Sequence, residues 1–248
     1  MKQNLVFISD AHLGSGTDTL QRERQLCQLL NQIEPTCRTL VLLGDMFDFW
    51  FTYRHVVPKG HTRLIGTLAN MADKGTEIHF FIGNHDMWLF DYLHQECGII
   101  MHSEPERFTF GEKTFLVGHG DGLGHLDRAY DFVSHFFRSR TCQRLFSMLP
   151  PALTIPFARR WSNNNKRKHL QQDCDRYLGD DREGIVIYCK QQIEKCSVDY
   201  CVFGHRHTPL TMPISNTCTY VNTGDWLTHR TYAVFIPGET LQLLSFES

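Results

Sequence analysis

Five short stretches of this chain share one pattern: an apolar run stops, and a side chain able to bind a metal ion follows. Asp10 and His12 close "FISDAHLG", Asp45 follows "LVLLG", Asn84 and His85 follow "FFIG", His119 follows "FLVG", and His205 and His207 follow "CVFG". In four of the five a glycine separates the apolar run from the polar residue. Carboxylate, imidazole and amide oxygen suit Mn, Fe or Zn, and no thiolate joins the set. Two divalent ions sharing a carboxylate would stabilise the attacking and leaving oxygens of an in-line phosphoryl displacement and would acidify a water between them. In "GHRH" the spacing predicts that His205 and His207 share one face of an extended segment, because strand side chains alternate with a period of two.

The elements that must position these residues are legible around them. "NLVFIS", "TLVLLG" and "EIHFFIG" read as buried strands, with helices over 18–33 and 60–74 between them. Strand, helix, strand at this rhythm predicts a parallel or mixed α/β sheet. Ligand sites in such sheets lie beyond the carboxyl ends of the strands, so the five ends can converge on one rim. After Gly98 closely spaced strands are expected, "ERFTFGEKTFLVG" forming a hairpin at Gly111-Glu112. From 125 to about 178 the strand signal disappears. That stretch is rich in aromatics and arginine and is interrupted by Pro150, Pro151 and Pro156, which predicts two or more helices joined at the proline pair. A helix over 181–195 and the strands "DYCVFG", "CTYVNTG", "TYAVFI" and "LQLLSF" complete the chain. The expectation is one domain over 1–248 with a helical insertion at 125–178.

Composition narrows the class. At 248 residues and 42% hydrophobic the chain can bury a large core, and 21% charged residues do not make it disordered. A formal net charge of -2 argues against nucleic acid as a partner, since a basic footprint is expected there. Nine cysteines without a C-x-x-C pair, and an amino terminus without the features of a signal peptide, point to a reducing cytoplasm with most thiols as small buried hydrophobes. No apolar run reaches the roughly 20 residues that span a bilayer.

Taken singly, "DxH" or "GNHD" is more often turn and cap chemistry than metal binding. Jointly, "DAH", "GDMFD", "GNHD", "GHGD" and "GHRH" resemble the calcineurin-like metallophosphoesterases, over Asp10 to His207. The resemblance implies a four-layer α/β/β/α sandwich of two mixed sheets and two divalent ions, commonly Mn2+. It implies that Asp10, His12, Asp45 and His207 hold one ion, and that Asp45 bridges to a second held by Asn84, His119 and His205. It further implies that His85, beside the phosphate, stabilises the pentacovalent transition state or protonates the leaving oxygen. Asp48, Asp86 and Asp121 are expected to orient those groups rather than to bind metal.

The length, the "SDAHLG" opening and the insertion between "GHGD" and "GHRH" are similar to the UDP-2,3-diacylglucosamine pyrophosphatase branch of lipid A synthesis. That resemblance implies cleavage of a pyrophosphate to UMP and a diacylglucosamine 1-phosphate, with acyl chains under a helical lid. It places substrate contacts at Asn84, His85 and His205 and, in "RRWSNNNK", at Arg159, Ser162, Asn163 and Lys166. Best-known members of the branch carry arginine where this chain has His85, which keeps a soluble nucleotide phosphodiesterase or phosphatase as the alternative. An inactive protein-binding scaffold is the remote one, since every expected ligand position is filled. Phe132, Phe136, Phe137, Leu145, Phe146 and Leu149 at helical spacing serve either a lipid or membrane surface, or a small core or dimer contact. The basic residues Arg138, Arg140, Arg144, Arg159, Arg160, Lys166, Arg167 and Lys168 suit anionic headgroups, at roughly 1 kcal/mol each near such a surface. Peripheral association with the cytoplasmic face of the inner membrane is therefore expected. Nothing in the residues fixes an oligomeric state.

Overall fold

The computed structural model describes residues 2–125, 128–158, 160, 177, 179–180 and 182–247. The first apolar runs become β1 (Asn4–Ile8), β2 (Cys37–Leu42) and β3 (Glu77–Phe81), parallel neighbours joined at the edge by β4 (Ile100–His102). On the other side of β1 the sheet continues antiparallel through β10 (Thr231–Phe235) and β11 (Gln242–Ser245). A second, five-stranded sheet has the order β5 (Glu106–Phe110), β6 (Lys113–Gly118), β7 (Tyr200–Phe203), β9 (Thr219–Asn222), β8 (Leu210–Pro213), parallel at β6–β7 and β7–β9.

The alternation of side chains along each strand sorts the core into layers. Leu5 and Phe7 of β1, with Val41, Phe81 and Phe235, meet Phe115, Val117, Val202 and Val221 of the second sheet. Phe115 lies 5.8 Å from Phe7 and 5.2 Å from Phe235, ring to ring. The intervening residues Val6 and Ile8, with Leu40, Leu42 and Phe80, pack under α1 (Thr19–Ile33), α2 (Thr62–Asp73) and α3 (Tyr92–Cys97). Behind the second sheet Leu116, Cys201, Phe203 and Tyr220 pack on Ile185, Val186 and Cys189 of α7 (Gly184–Ile193). Each such side chain contributes about 1.5–3 kcal/mol by leaving water. The order helix, sheet, sheet, helix is the four-layer sandwich expected. Of the eight described cysteines, all free, six are buried, as small hydrophobes would be.

Short elements depart from the sequence reading. β4, β8 and α3 are too brief to give a periodic signal, and α7 begins at Gly184 rather than at 181. The insertion carries α4 (Arg128–Arg138), α5 (Arg140–Ser147) and α6 (151–158). The proline pair separates α5 from α6 as predicted. A further break falls at Ser139, whose hydroxyl caps α5 by accepting from the Cys142 N–H at 3.2 Å.

An aromatic cluster fastens the insertion to the sandwich. Phe137, Cys142, Phe146 and Ile155 pack on Phe51, Tyr53 and Trp88, which lie in the loops after β2 and β3. Trp88 Nε1 donates to the Phe137 carbonyl at 2.9 Å, and the Tyr53 and Thr154 hydroxyls pair at 2.6 Å. Phe137 and Phe146 thus form a small core, whereas Phe136, Leu145 and Leu149 of the same expected stripe are exposed. No helix among the described residues is long and apolar enough to cross a membrane.

Candidate metal centre

All five strand ends meet at one rim. β1, β2 and β3 are adjacent in the first sheet, β6 and β7 in the second, and their carboxyl ends face the same cleft. Asp10, His12 and His207 bring one ligand atom each within 4.8 Å of one another, as do Asp45, His119 and His205. His12 Nε2 is 3.2 Å from His207 Nε2, and Asp10 Oδ1 is 3.3 Å from His207 Nε2 and 3.8 Å from His12 Nε2. Asp45 Oδ2 joins the two groups, 3.8 Å from His12 Nε2 and 3.5 Å from His119 Nε2. Asn84 Oδ1 is 3.2 Å from His119 Nε2. His85 also falls in a set with His12 and Asp45.

The glycines before the ligands have a steric cause. A Cβ at Gly83 would collide with the Asp45 carboxylate, and one at Gly204 would stand 2.5 Å from Asp10 Oδ2. The loops are stacked that closely because the strand ladder continues past the strands: the His12 N–H donates to the Asp45 carbonyl at 2.9 Å and the Asp48 N–H to that of Leu13 at 2.9 Å.

One expectation fails here. β7 stops at Phe203, and His205 and His207 have φ of 68° and 56°, left-handed rather than extended. They therefore diverge: the His205 ring stands 5.0 Å from that of His119, and the His207 ring 5.0 Å from that of His12. Asp10, His12 and Asp45 are left-handed too, at 52°, 43° and 51°. Such backbone is uncommon outside glycine and clusters at functional sites, where the surroundings hold it in place.

Several of these side chains are aimed by a hydrogen bond on the other side. His119 donates from Nδ1 to the Leu43 carbonyl at 2.7 Å, turning Nε2 toward Asp45. Asp45 Oδ1 accepts from the His85 N–H at 2.8 Å, and Asp10 Oδ2 from the His205 N–H at 2.9 Å. His85 donates from Nδ1 to the Asp48 carbonyl at 3.0 Å. Asp48 Oδ1 lies 3.7 Å from His12 Nδ1 and 3.8 Å from His85 Nδ1. Asp86 accepts from the N–H groups of Gly83 at 2.8 Å and Met46 at 2.9 Å, tying the β2 and β3 loops together. Asp121 accepts from Arg138 at 2.8 Å.

Two supporting residues are invisible in the motifs. Asp225, after β9, places Oδ2 3.3 Å from His207 Nδ1 and accepts with Oδ1 from the N–H groups of Thr228 and His229 at 2.9 Å. Arg22, buried in α1, donates to the carbonyls of Ala11 at 2.9 Å, His12 at 3.2 Å and Ser15 at 2.6 Å, bracing the loop that carries Asp10 and His12. An aspartate following "NTG" and an arginine on an amphipathic helix have no local spacing that marks them.

The electrostatics fit cations. Burial pushes the Asp10 carboxyl up against the pull of His207 and His119. Burial also opposes charge on Asp45, but His119 and His85 outweigh it and hold that carboxyl well below its ordinary range. His119 meets the same burial, and Asp45 beside it raises the imidazole to about 10. Burial and the neighbouring His119 lower His205 to about 3, leaving a neutral imidazole. Asp10 Oδ1 is buried with no hydrogen-bond donor, 3.3 Å from His207 Nε2 and 3.8 Å from His12 Nε2. Dense carboxylate and imidazole donors around such an oxygen fit divalent cations. Arg159, Ser162, Asn163 and Lys166, with Arg167 and Lys168, lie outside the described residues.

Known proteins supply the class. A family model for calcineurin-like phosphoesterases matches residues 4–209, and the chain belongs to that family. With the clustered ligand set, this makes it a metal-dependent hydrolase. Among curated proteins it is similar to the UDP-2,3-diacylglucosamine hydrolase of Porphyromonas gingivalis, 36% identical over 260 residues, covering 100% of this chain and 99% of the relative. The protein of that name from Haemophilus ducreyi is 27% identical over 222 residues, covering 89% of this chain and 90% of its own. Among solved structures, the E. coli phosphoesterase YfcE aligns over 98% of this chain and 93% of its own at 15% identity, with a TM-score of 0.49.

Proposed function

We propose that the protein hydrolyses the pyrophosphate of UDP-2,3-diacylglucosamine, giving UMP and 2,3-diacylglucosamine 1-phosphate. The observation that carries the chemistry is Asp45 Oδ2, within 3.8 Å of His12 Nε2 and 3.5 Å of His119 Nε2, a carboxylate placed to be shared. In this reading Asp10, His12, Asp45 and His207 hold one divalent ion and Asp45, Asn84, His119 and His205 the other, Mn2+ being the ion the family resemblance favours. Bound there, the pair supplies positive charge to the attacking and displaced oxygens and lowers the pKa of water. Water oxygen bonds to the α-phosphorus, the bond from that phosphorus to the bridging oxygen breaks, and the β-phosphate departs with the diacylglucosamine. His85, its ring fixed by the Asp48 carbonyl, serves the transition state as a hydrogen-bond donor or acid.

The substrate reading is supported by the likeness to two hydrolases of that name, over 100% and 89% of this chain, and by the insertion. Leu145, Leu153 and Phe157 on α5 and α6, and Met148 just after α5, are exposed in an insertion anchored to the loops that carry Asp48 and His85. Arg140 and Arg144 are exposed beside them, and 139–160 contains no acidic residue. That combination suits acyl chains and an anionic membrane surface, and so peripheral attachment at the inner face. Arg159, Ser162, Asn163 and Lys166 remain the proposed headgroup contacts.

His85, in place of the arginine of the best-known lipid A enzymes, favours a second reading, a soluble nucleotide phosphodiesterase or phosphatase. Turnover of detergent-dispersed UDP-2,3-diacylglucosamine against cyclic and bis-nucleotides, with Mn2+, separates the two. Indifference to the acyl chains refutes the first reading, and failure to bind metal in a metal-content measurement refutes both in favour of a scaffold.

A further inference from the structure

The centre has a neighbour that the roles above leave unused. A cavity of about 560 Å³ is bounded by the residues that follow β6, by the end of β4 and the turn into β5 (102–105), by one turn of α4 and by α7. We propose that this cavity receives the nucleoside half of the substrate, with Arg138 taking a phosphate oxygen at the end nearest the metal centre. The inference deepens the reading above and rests on it.

Continuity is the first support. His119, whose Nε2 is 3.2 Å from Asn84 Oδ1, is also part of the cavity wall. A phosphate at the rim and a group in the cavity can therefore belong to one molecule. The volume lies in the range of small-molecule pockets, roughly 300–1,000 Å³.

The wall chemistry is the second. Glu104 offers a carboxylate, Gln192 an amide with both donor and acceptor atoms, and Tyr188 a half-buried ring. A pyrimidine nucleoside presents complementary features: a base edge with donors and acceptors, a flat π face and two vicinal hydroxyls that a carboxylate can accept from. An acyl chain has none of these. Leu145, Leu153 and Phe157, exposed on α5 and α6, are the reverse, apolar side chains with no donor or acceptor to offer. The two halves of a nucleotide-linked lipid are thus matched by two different walls.

Arg138 supplies the third. Its guanidinium donates to Asp121 at 2.8 Å, while its Nε is buried with no hydrogen-bond partner. The Asp121 pair fixes the planar fork beside the loop of His119, and the remaining donors suit a phosphate.

The test uses Mn2+-loaded full-length protein with UMP as probe, and turnover of UDP-2,3-diacylglucosamine in parallel. Glu104→Gln, Gln192→Leu and Arg138→Gln are each expected to weaken UMP binding about tenfold by calorimetry, the loss of one good polar contact, and to raise KM. Affinity for dispersed 2,3-diacylglucosamine 1-phosphate stays unchanged in Glu104→Gln and Gln192→Leu. Irradiated 5-iodo-UMP is expected to label Tyr188. Labelling of Phe49, Phe51 or Trp88 instead, or unchanged UMP affinity in all three variants, overturns the proposal. A wild type that labels at Tyr188 yet leaves the lipid conjugate intact supports the nucleoside cavity and sinks the substrate reading.

Discussion

Asp10, Asp45 and His119 are at most 3% exposed, and each has a polar atom fixed by a hydrogen bond to the backbone. Met148, Leu153 and Phe157, on the insertion, are 64–80% exposed. The two regions meet at one cleft under opposite constraints. Displacement at phosphorus loses orders of magnitude in rate when a donor moves by an ångström, which is the demand that the bonds behind Asp10, Asp45 and His119 answer. Contact with a hydrocarbon tail is non-directional, so the insertion needs only apolar area and a firm attachment.

That contrast breaks most sharply at the shared carboxylate. Asp45→Ala should bring turnover to the uncatalysed baseline and lower the content of both ions, measured by elemental analysis; a near-wild-type rate removes the carboxylate from its bridging role. His85→Ala should keep the ions and reduce kcat by about 10²–10⁴-fold. Full metal loss in that variant would make His85 a ligand instead. Asp225→Asn, at a side chain that meets the centre from behind His207, should weaken metal affinity by about 10–100-fold in a chelator competition, with the fold intact by circular dichroism.

Acidity sharpens the comparison further. In chelated protein His119 is raised from its ordinary 6.5 to about 10, burial opposing and Asp45 prevailing. Its contribution to stability is complete below about pH 6.5 and is lost as the pH rises through about 10. Ion binding needs the neutral ring, so loading should release a proton and tighten with pH over the same interval. Melting temperatures of the chelated protein and proton release on loading check both directions. The smallest effect belongs to the insertion: Met148→Ser with Leu153→Ser should change unfolding free energy by no more than about 0.5 kcal/mol per site. The same double variant should lower vesicle co-sedimentation and turnover of the acylated substrate.

The rim was legible in the sequence because its signal is local: each group of candidate ligands begins one to three residues past a strand, and glycine marks where neighbouring loops touch. The layers were legible for a similar reason, since alternation along β1 already assigns Leu5 and Phe7 to one side and Val6 and Ile8 to the other. Long-range partners were not. Asp225 meets His207 across a turn and two strands, and Arg22 braces residues from an adjoining helix, so no spacing announces either. The direction of His205 and His207 was misread because an i, i+2 pair looks the same in extended and in left-handed backbone. In the insertion, periodicity groups the phenylalanines without saying that Phe137 turns inward and Phe136 outward.

The coiled backbone at Asp10, His12, Asp45, His205 and His207 has one more consequence. Folding itself, rather than ion capture, bears the conformational cost of shaping the receptacle, so little chain ordering is left to accompany loading. Exchange of one divalent ion for another of similar radius should then proceed without a change in the amide spectrum of these loops, the protein behaving as a finished mould.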